Sequence, residues 1–196
     1  IFQRSLFTIM SKPICILISG ISQSGKTTWI DENITNECFD GCIHRTQHSK
    51  VLKKDRKFRG KFFVCSFDRL SNIYSNSWWM QAPTTNLVWE SKKSLKLIFN
   101  ELTNQKFNVV IDGPNLKRSS RRLFIQKAKE SGYDVIGVEM ITPLKVVIDR
   151  YCTHNNLDEN SERAQNIKLV WDNREPLSES EGYDEIIKVD SSQENN

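Results

Sequence analysis

No stretch of these 196 residues approaches the ~20 consecutive apolar residues that cross a bilayer, so none of them is expected to form a membrane-spanning helix. No internal repeat is present, which removes solenoid and propeller architectures. The opening "IFQRSLFTIM" is too short and interrupted for a signal peptide, and no small-residue cleavage site follows. Met10 reads as a natural start, with residues 1–9 an added leader; a genuine extra strand is the alternative. A disulfide framework is also missing. The five cysteines are an odd number, and Cys15, Cys65 and Cys152 fall in apolar runs, which suits reduced thiols. The expected setting is therefore intracellular: cytoplasmic, or nuclear in a eukaryote. Cys38, Cys42, His44 and His48 are the right types for zinc, but a single residue separates Cys42 from His44. Finger-type sites need a longer loop between ligand pairs, so the spacing argues against a zinc site.

The chain is long enough for one well-buried domain and hardly for two. We expect a leader over 1–12, a folded domain over 13–190 and a fraying polar tail, "SSQENN", over 191–196. The net charge of +4 is uneven, since residues 158–196 carry 4 Lys/Arg against 11 Asp/Glu. The densest basic stretch, "HRTQHSKVLKKDRKFRGK" (44–61), holds eight Lys/Arg and one acid. Two readings stay open there: a nucleic-acid footprint or a solvated insertion.

Five short apolar runs read as buried strands: "ICILIS" (14–19), "KFFVCSF" (61–67), "FNVVID" (107–112), "YDVIGVEMI" (133–141) and "DEIIKVD" (184–190). Helical patterns separate them, which predicts an α/β fold around a mainly parallel sheet. Helices are expected over about 91–105, from Ser119-Ser120 to a terminating Gly132, and after Thr142-Pro143, with Thr142 as N-cap. Behind Pro143, Leu144, Val147, Ile148 and Tyr151 form an apolar stripe, leaving Arg150 and His154 on a more polar face. The irregular 71–89 holds three of the five tryptophans, which we expect to pack a satellite core rather than stack bases.

"GISQSGKTTW" (20–29) fits G-x-x-x-x-G-K-[ST] and sits between a predicted strand and a predicted helix, the context a phosphate loop requires. Gly20 and Gly25 permit the tight turn. The amides of Ser22, Gln23, Ser24, Gly25, Lys26 and Thr27 would face phosphate oxygens at a helix N-terminus, with Thr28 beside them. Lys26 would reach the β- and γ-phosphates of ATP, and the Thr27 hydroxyl would serve Mg²⁺. Asp112 ends an apolar strand, where a carboxylate holds Mg²⁺ in phosphate-loop proteins. Asp68 follows the second strand and can act as a general base or simply cap the next helix. Arg150 and His154 can face the transferred phosphoryl group or solvent.

With these pieces in order, the chain resembles the phosphate-loop kinases of the polynucleotide 5′-hydroxyl kinase group, phage-type and mammalian polynucleotide kinase domains among them. The likeness runs from about Cys15 to Val189. It is carried by "GISQSGKTTW", "SFDRL", "VVIDGPNLKRSSRRLFIQKAKESGYDV", "TPLKVVIDR" and the closing "VWDNREPLSESEGYDEIIKV". The resemblance implies a five-stranded sheet of order 2-3-1-4-5 with helices on both faces and a small lid. It implies ATP- and Mg²⁺-dependent transfer to a hydroxyl, with a nucleic acid as acceptor. Asp68 would be the base, Lys26 and Arg150 would stabilise the phosphoryl group, and Thr27 and Asp112 would hold the metal. His154 would join the nucleotide contacts, while Asp68, Arg69, Ser71 and Asn115 would meet the acceptor.

Three departures bear on the acceptor and the lid. The family places arginine three residues after the base, where this chain has Ser71 with Arg69 at the next position. His154 stands at the second lid arginine position, and the Asp112-Gly113-Pro114-Asn115 box is one residue longer. The group also includes kinases for small molecules and for hydroxymethylated bases in DNA, and those acceptors stay open. So does a nucleotide-gated ATPase or binding module.

Overall fold

The computed structural model describes residues 12–34, 58, 61–75 and 85–193. The basic stretch (except Phe58 and Lys61), the four proposed zinc ligands, Trp78, Trp79 and residues 194–196 lie outside these. The five expected strands all form: β1 (Ile14–Ser19), β2 (Phe62–Ser66), β3 (Asn108–Asp112), β4 (Asp134–Met140) and β5 (Glu185–Val189). They build one parallel sheet of order β2-β3-β1-β4-β5. The fold is therefore the α/β arrangement with the expected strand order.

Alternation explains why these runs carry so few polar residues. Cys15 and Leu17 face one side of the sheet with Val109, Ile111 and Val135, while Ile16 and Ile18 face the other with Val110, Ile136 and Val138. Both faces are covered, so every position must be apolar. The first face is packed by α3 (Thr85–Asn104) through Leu95 and Phe99 and by α4 (Arg118–Glu130) through Phe124, Ile125 and Ala128. The second face is packed by α1 (Lys26–Asn33) through Trp29 and Ile30. Between β4 and β5, α5 (Leu144–Asn155) and α6 (Glu162–Asp172) pack on each other through Ile148, Cys152 and Ala164, forming a small separate layer.

Register fixes where the chemistry sits. Ser66 pairs with Asp112, Asp112 with Ile18, and Ser19 with Glu139, so the strands end together along one edge. The loops after β1, β2 and β3 therefore converge there, the usual ligand edge of a parallel sheet. Among the described residues, no helix is long and apolar enough to cross a membrane.

Several local expectations need correction. Thr142 does not cap α5. Pro143 occupies the cap position, and the Thr142 hydroxyl instead donates to the Ser24 carbonyl at 3.1 Å. The helix expected from Ser119 begins at Arg118, and its cap comes from far along the chain, where the Glu175 carboxylate accepts from the Arg118 amide at 2.7 Å. Trp89, expected in a satellite core, is 68% exposed on α3. Ser191, placed in a fraying tail, is 3% exposed and begins a short 3₁₀ turn that reaches Gln193.

Candidate active site

The loop between β1 and α1 is shaped by its glycines. A Cβ on Gly20 would lie 2.5 Å from Ser24 Oγ and 2.8 Å from Met140, so only glycine fits without displacement. Gly25 has φ +89°, and a Cβ there would meet Ser191 Oγ at 2.6 Å. Gln23, at φ 63°, also lies in the left-handed region, so the turn around Ser22–Ser24 is tightly wound. Ser24 is buried, and its hydroxyl donates to the Ile21 carbonyl at 2.8 Å. Thr27 and Thr28 at the start of α1 are exposed.

Lys26 folds back over this loop, donating to the carbonyls of Gly20 (3.0 Å) and Ile21 (2.8 Å). An ammonium has three donors, so one remains for a ligand. Burial pulls the Lys26 pKa below its ordinary value, and the carboxylates of Asp112 and then Asp68 oppose that shift. Asp68 stands in the first turn of α2 (Phe67–Ser75). Although this residue is exposed overall, protein crowding around its carboxyl raises its pKa, Asp112 raises it further, and Lys26 opposes both. One ammonium and two carboxylates thus feel each other at the strand edge. Like-charged carboxylates in one site push at least one of the pair toward the protonated form.

The fit of a triphosphate and Mg²⁺ can be judged from these residues. The glycine-shaped cradle, the helix N-terminus and the half-buried lysine match a polyphosphate. Among the described residues, no three His, Cys, Asp or Glu side chains gather as a metal cluster. Mg²⁺ needs no such cluster, because it is held through one or two protein oxygens plus substrate phosphates, and Thr27 and Asp112 are of the right type.

Arg150 lies beside the loop and is not open to solvent alone. Its guanidinium donates to Ser191 Oγ (2.8 Å) and to the Ser191 carbonyl (2.6 Å). That same hydroxyl bonds the Ser24 carbonyl at 3.1 Å and Thr142 at 2.9 Å. Helix α5, the turn at Ser191 and the loop between β1 and α1 are therefore tied at one point. His154 is exposed in the last turn of α5.

On the other side, a cleft of about 530 Å³ opens between α3 and α4, reaching Asp112, Gly113 and Asn115 at its head and Phe67 beside Asp68. Asn115 lines it, yet the Asn115 amide donates to the Ile18 carbonyl at 2.7 Å, clasping the ends of β1 and β3. Ser71 is buried, and its hydroxyl has no hydrogen-bond partner among the described residues; Arg69 is half-buried.

Sequence reasoning missed the residue that holds these parts together. Arg121 is fully buried and forms a two-pronged bond with Glu181, both contacts at 2.8 Å. It also donates to the carbonyls of Asn115 and Glu175, each at 2.9 Å. The Asn115 carbonyl accepts from Ser19 as well, and Pro114 accepts from the Gly20 amide at 3.0 Å. The signal was available: Arg121 occupies the first place of the buried stripe Arg121, Phe124, Ile125, Ala128. A charge in such a stripe demands a partner.

Among solved structures, the fold is similar to a kinase candidate from Chloroflexus aurantiacus, with a TM-score of 0.64, 13% identity and coverage of 94% of this chain and 91% of that one. It is also similar to a chain of the PezAT toxin–antitoxin system of Streptococcus pneumoniae, with a TM-score of 0.60, 19% identity and coverage of 92% and 68%. A chain of the Pnkp1/Rnl/Hen1 complex matches with a TM-score of 0.52 and 15% identity, over 76% of this chain and 42% of that one. At these identities the likeness is one of fold. No curated protein matches in sequence. The profile described as AAA domain matches residues 15–169, which takes in the phosphate loop, Asp68, Asp112, α5 and most of α6, and the chain belongs to that family with a phosphate-loop, kinase-like domain.

Proposed function

We propose that the protein is an ATP- and Mg²⁺-dependent kinase that transfers the γ-phosphoryl group to a hydroxyl, the 5′-hydroxyl of a nucleic acid being the favoured acceptor. The observation that carries this reading is the trio Lys26, Asp68 and Asp112, coupled at the strand edge where the glycine-shaped loop meets an open cleft. A nucleotide switch needs the loop and Asp112. It has no need of a second carboxylate beside a cleft for another substrate.

In this mechanism the loop amides bind the phosphate oxygens, and the third donor of Lys26 neutralises charge that develops on the transferred group. Thr27 and Asp112 would hold Mg²⁺, which when bound would supply further neutralisation of the phosphates. Asp68 accepts the proton of the attacking hydroxyl, and its upward-shifted pKa makes it a better base than a free carboxylate. Arg150 stands next to the loop through Ser191 as the second cation for the phosphoryl group. The basic 44–61 stretch is proposed to strengthen nucleic-acid binding.

A second reading has its own support. Ser71 is turned inward, so the position where relatives of the resembling group carry arginine offers no cation to a strand end. A cleft of this size also suits a small ligand. A nucleoside, a hydroxymethylated base or another small molecule is the alternative acceptor. The test is incubation with Mg²⁺ and γ-labelled ATP against 5′-hydroxyl RNA and DNA, hydroxymethyl-base DNA and nucleosides. Label on a 5′ end is expected; label passing only to water would sink the kinase reading.

A further inference from the structure

One peptide of the phosphate loop has a direction that the loop itself does not fix. Turning over the peptide between Ser24 and Gly25 changes ψ of Ser24 and φ of Gly25, and glycine accepts either sign of φ at little cost. The direction matters for an anion. One orientation offers a phosphate the Gly25 N–H, and the other offers it the Ser24 carbonyl oxygen, which repels. Gln23, at φ 63°, shows that this turn is not resting in its local preference.

Two hydroxyls outside the loop make the choice. The Ser24 carbonyl accepts from Thr142 Oγ1 and from Ser191 Oγ, both at 3.1 Å, and all three residues are buried. The Trp29 amide donates to the Gly25 carbonyl at 2.9 Å, so the ladder of α1 starts at Gly25 and leaves the Ser24 oxygen to these hydroxyls. A guanidinium only donates, so at Ser191 Oγ it is Arg150 that gives a hydrogen, at 2.8 Å, and the Ser191 hydrogen is left for Ser24 or Thr142. Thr142 Oγ1 in turn accepts from the Ser191 amide at 3.2 Å. The donors therefore run one way, from Arg150 and the Ser191 amide through two hydroxyls to one carbonyl. Packing agrees with this. A Cβ on Gly25 would meet Ser191 Oγ at 2.6 Å and Ser191 Cβ at 2.8 Å, so Ser191 lies directly on the peptide.

Resting on the nucleotide-binding part of the kinase reading, we propose that Thr142 and Ser191 are positioning residues for the phosphate. They hold the Ser24 carbonyl, and a planar trans peptide then points the Gly25 N–H the opposite way, onto a phosphate oxygen of the bound nucleotide. Neither hydroxyl acts on the reacting atoms. Thr142 leads into α5 and Ser191 is gripped by Arg150 of α5, so the loop keeps this donor in place only while α5 stays docked.

The experiment follows the Gly25 amide by ¹⁵N NMR and measures binding of Mg²⁺-ADP and of adenosine. It compares wild type, Thr142→Val/Ser191→Ala, each single change, and the conservative Thr142→Ser. In wild type and Thr142→Ser, Mg²⁺-ADP should move the Gly25 amide resonance downfield. In the double variant that shift should vanish, and affinity for Mg²⁺-ADP should fall by roughly 10- to 100-fold, the range for a hydrogen bond to a charged group. Adenosine affinity and the Trp29 amide resonance should stay as in wild type, which a merely structural role would not allow. Each single change should give a smaller loss of the same kind, a readout that remains if the double variant does not fold. Variants that keep the Gly25 shift and the Mg²⁺-ADP affinity, or lose adenosine and Mg²⁺-ADP alike, would overturn the inference and leave the kinase reading standing. The predicted contrast in a protein that passes label from ATP to no hydroxyl would overturn the kinase reading alone. No binding of Mg²⁺-ADP by wild type would overturn both.

Discussion

The loop at Gly20–Thr27 and the cleft between α3 and α4 face each other across Asp112, and they are built in opposite ways. The loop is one contiguous stretch. It offers backbone amides, its shape is set by two glycines, and it is cross-tied by Thr142, Ser191 and Arg150. The cleft is assembled from side chains on α2, α3, the β3–α4 connection and α4, and it is open. A nucleotide presents the same phosphates to every enzyme that uses it, so a fixed backbone cradle suffices. An acceptor differs from enzyme to enzyme, and side chains on separate elements can change without disturbing the sheet.

The largest blow to this arrangement is expected at the clasp that joins the two regions. Arg121→Ala would remove the two-pronged partner of the Glu181 carboxylate, leaving it the Ser178 amide and the more distant Arg118, and would release the Asn115 and Glu175 carbonyls. A loss of about 3–5 kcal/mol is expected, read as a fall in the midpoint of urea unfolding. Stability within 1 kcal/mol of wild type would show that the clasp does not hold the regions together.

A smaller and one-sided effect is expected at Ser191. Ser191→Ala removes the hydroxyl shared by Arg150, Thr142 and Ser24, with an expected loss of about 1–3 kcal/mol. Because that hydroxyl lies against Gly25, KM for ATP should rise while KM for the acceptor stays put. A rise on the acceptor side alone would break the division between regions. Ser71→Ala should have the least effect, because it removes a buried hydroxyl that has no partner. Stability should be unchanged or slightly higher, and acceptor KM unchanged, which thermal melts and steady-state kinetics can check.

These two regions also differ in how far the chain alone reveals them. The loop, the five strands and their order follow from local patterns: glycine spacing, an apolar run before it, and a helix after. Asp68 and Asp112 are legible for a similar reason, since Asp112 ends β3 and Asp68 stands two residues beyond the end of β2. What stays hidden depends on partners distant in sequence. Glu175 caps α4 across 57 residues, Arg121 meets Glu181 across 60, and Ser191 reaches Ser24 across 167. Local capping rules placed Thr142 on the wrong duty because a hydroxyl before Pro143 reads as a cap, while the folded chain offers it Ser24 and Ser191 instead. The cleft was invisible for a related reason: its walls meet only when α4 is laid opposite α3.

The central claim is that Asp68 is a base poised for a hydroxyl, and Asp68→Asn tests it most directly. Because protein crowding and Asp112 raise the Asp68 pKa, the wild-type rate should climb with pH through a range above that of a free carboxylate, as the base form appears. The same shift means the folded state holds this proton more tightly than the unfolded chain, so the group lowers stability as pH rises through that range. Asp68→Asn should therefore bind ATP as wild type does, fold at least as stably at neutral pH, and lose ~10²-fold or more in single-turnover transfer with its rising pH limb gone. Transfer at the wild-type rate with the rising limb intact would contradict the account.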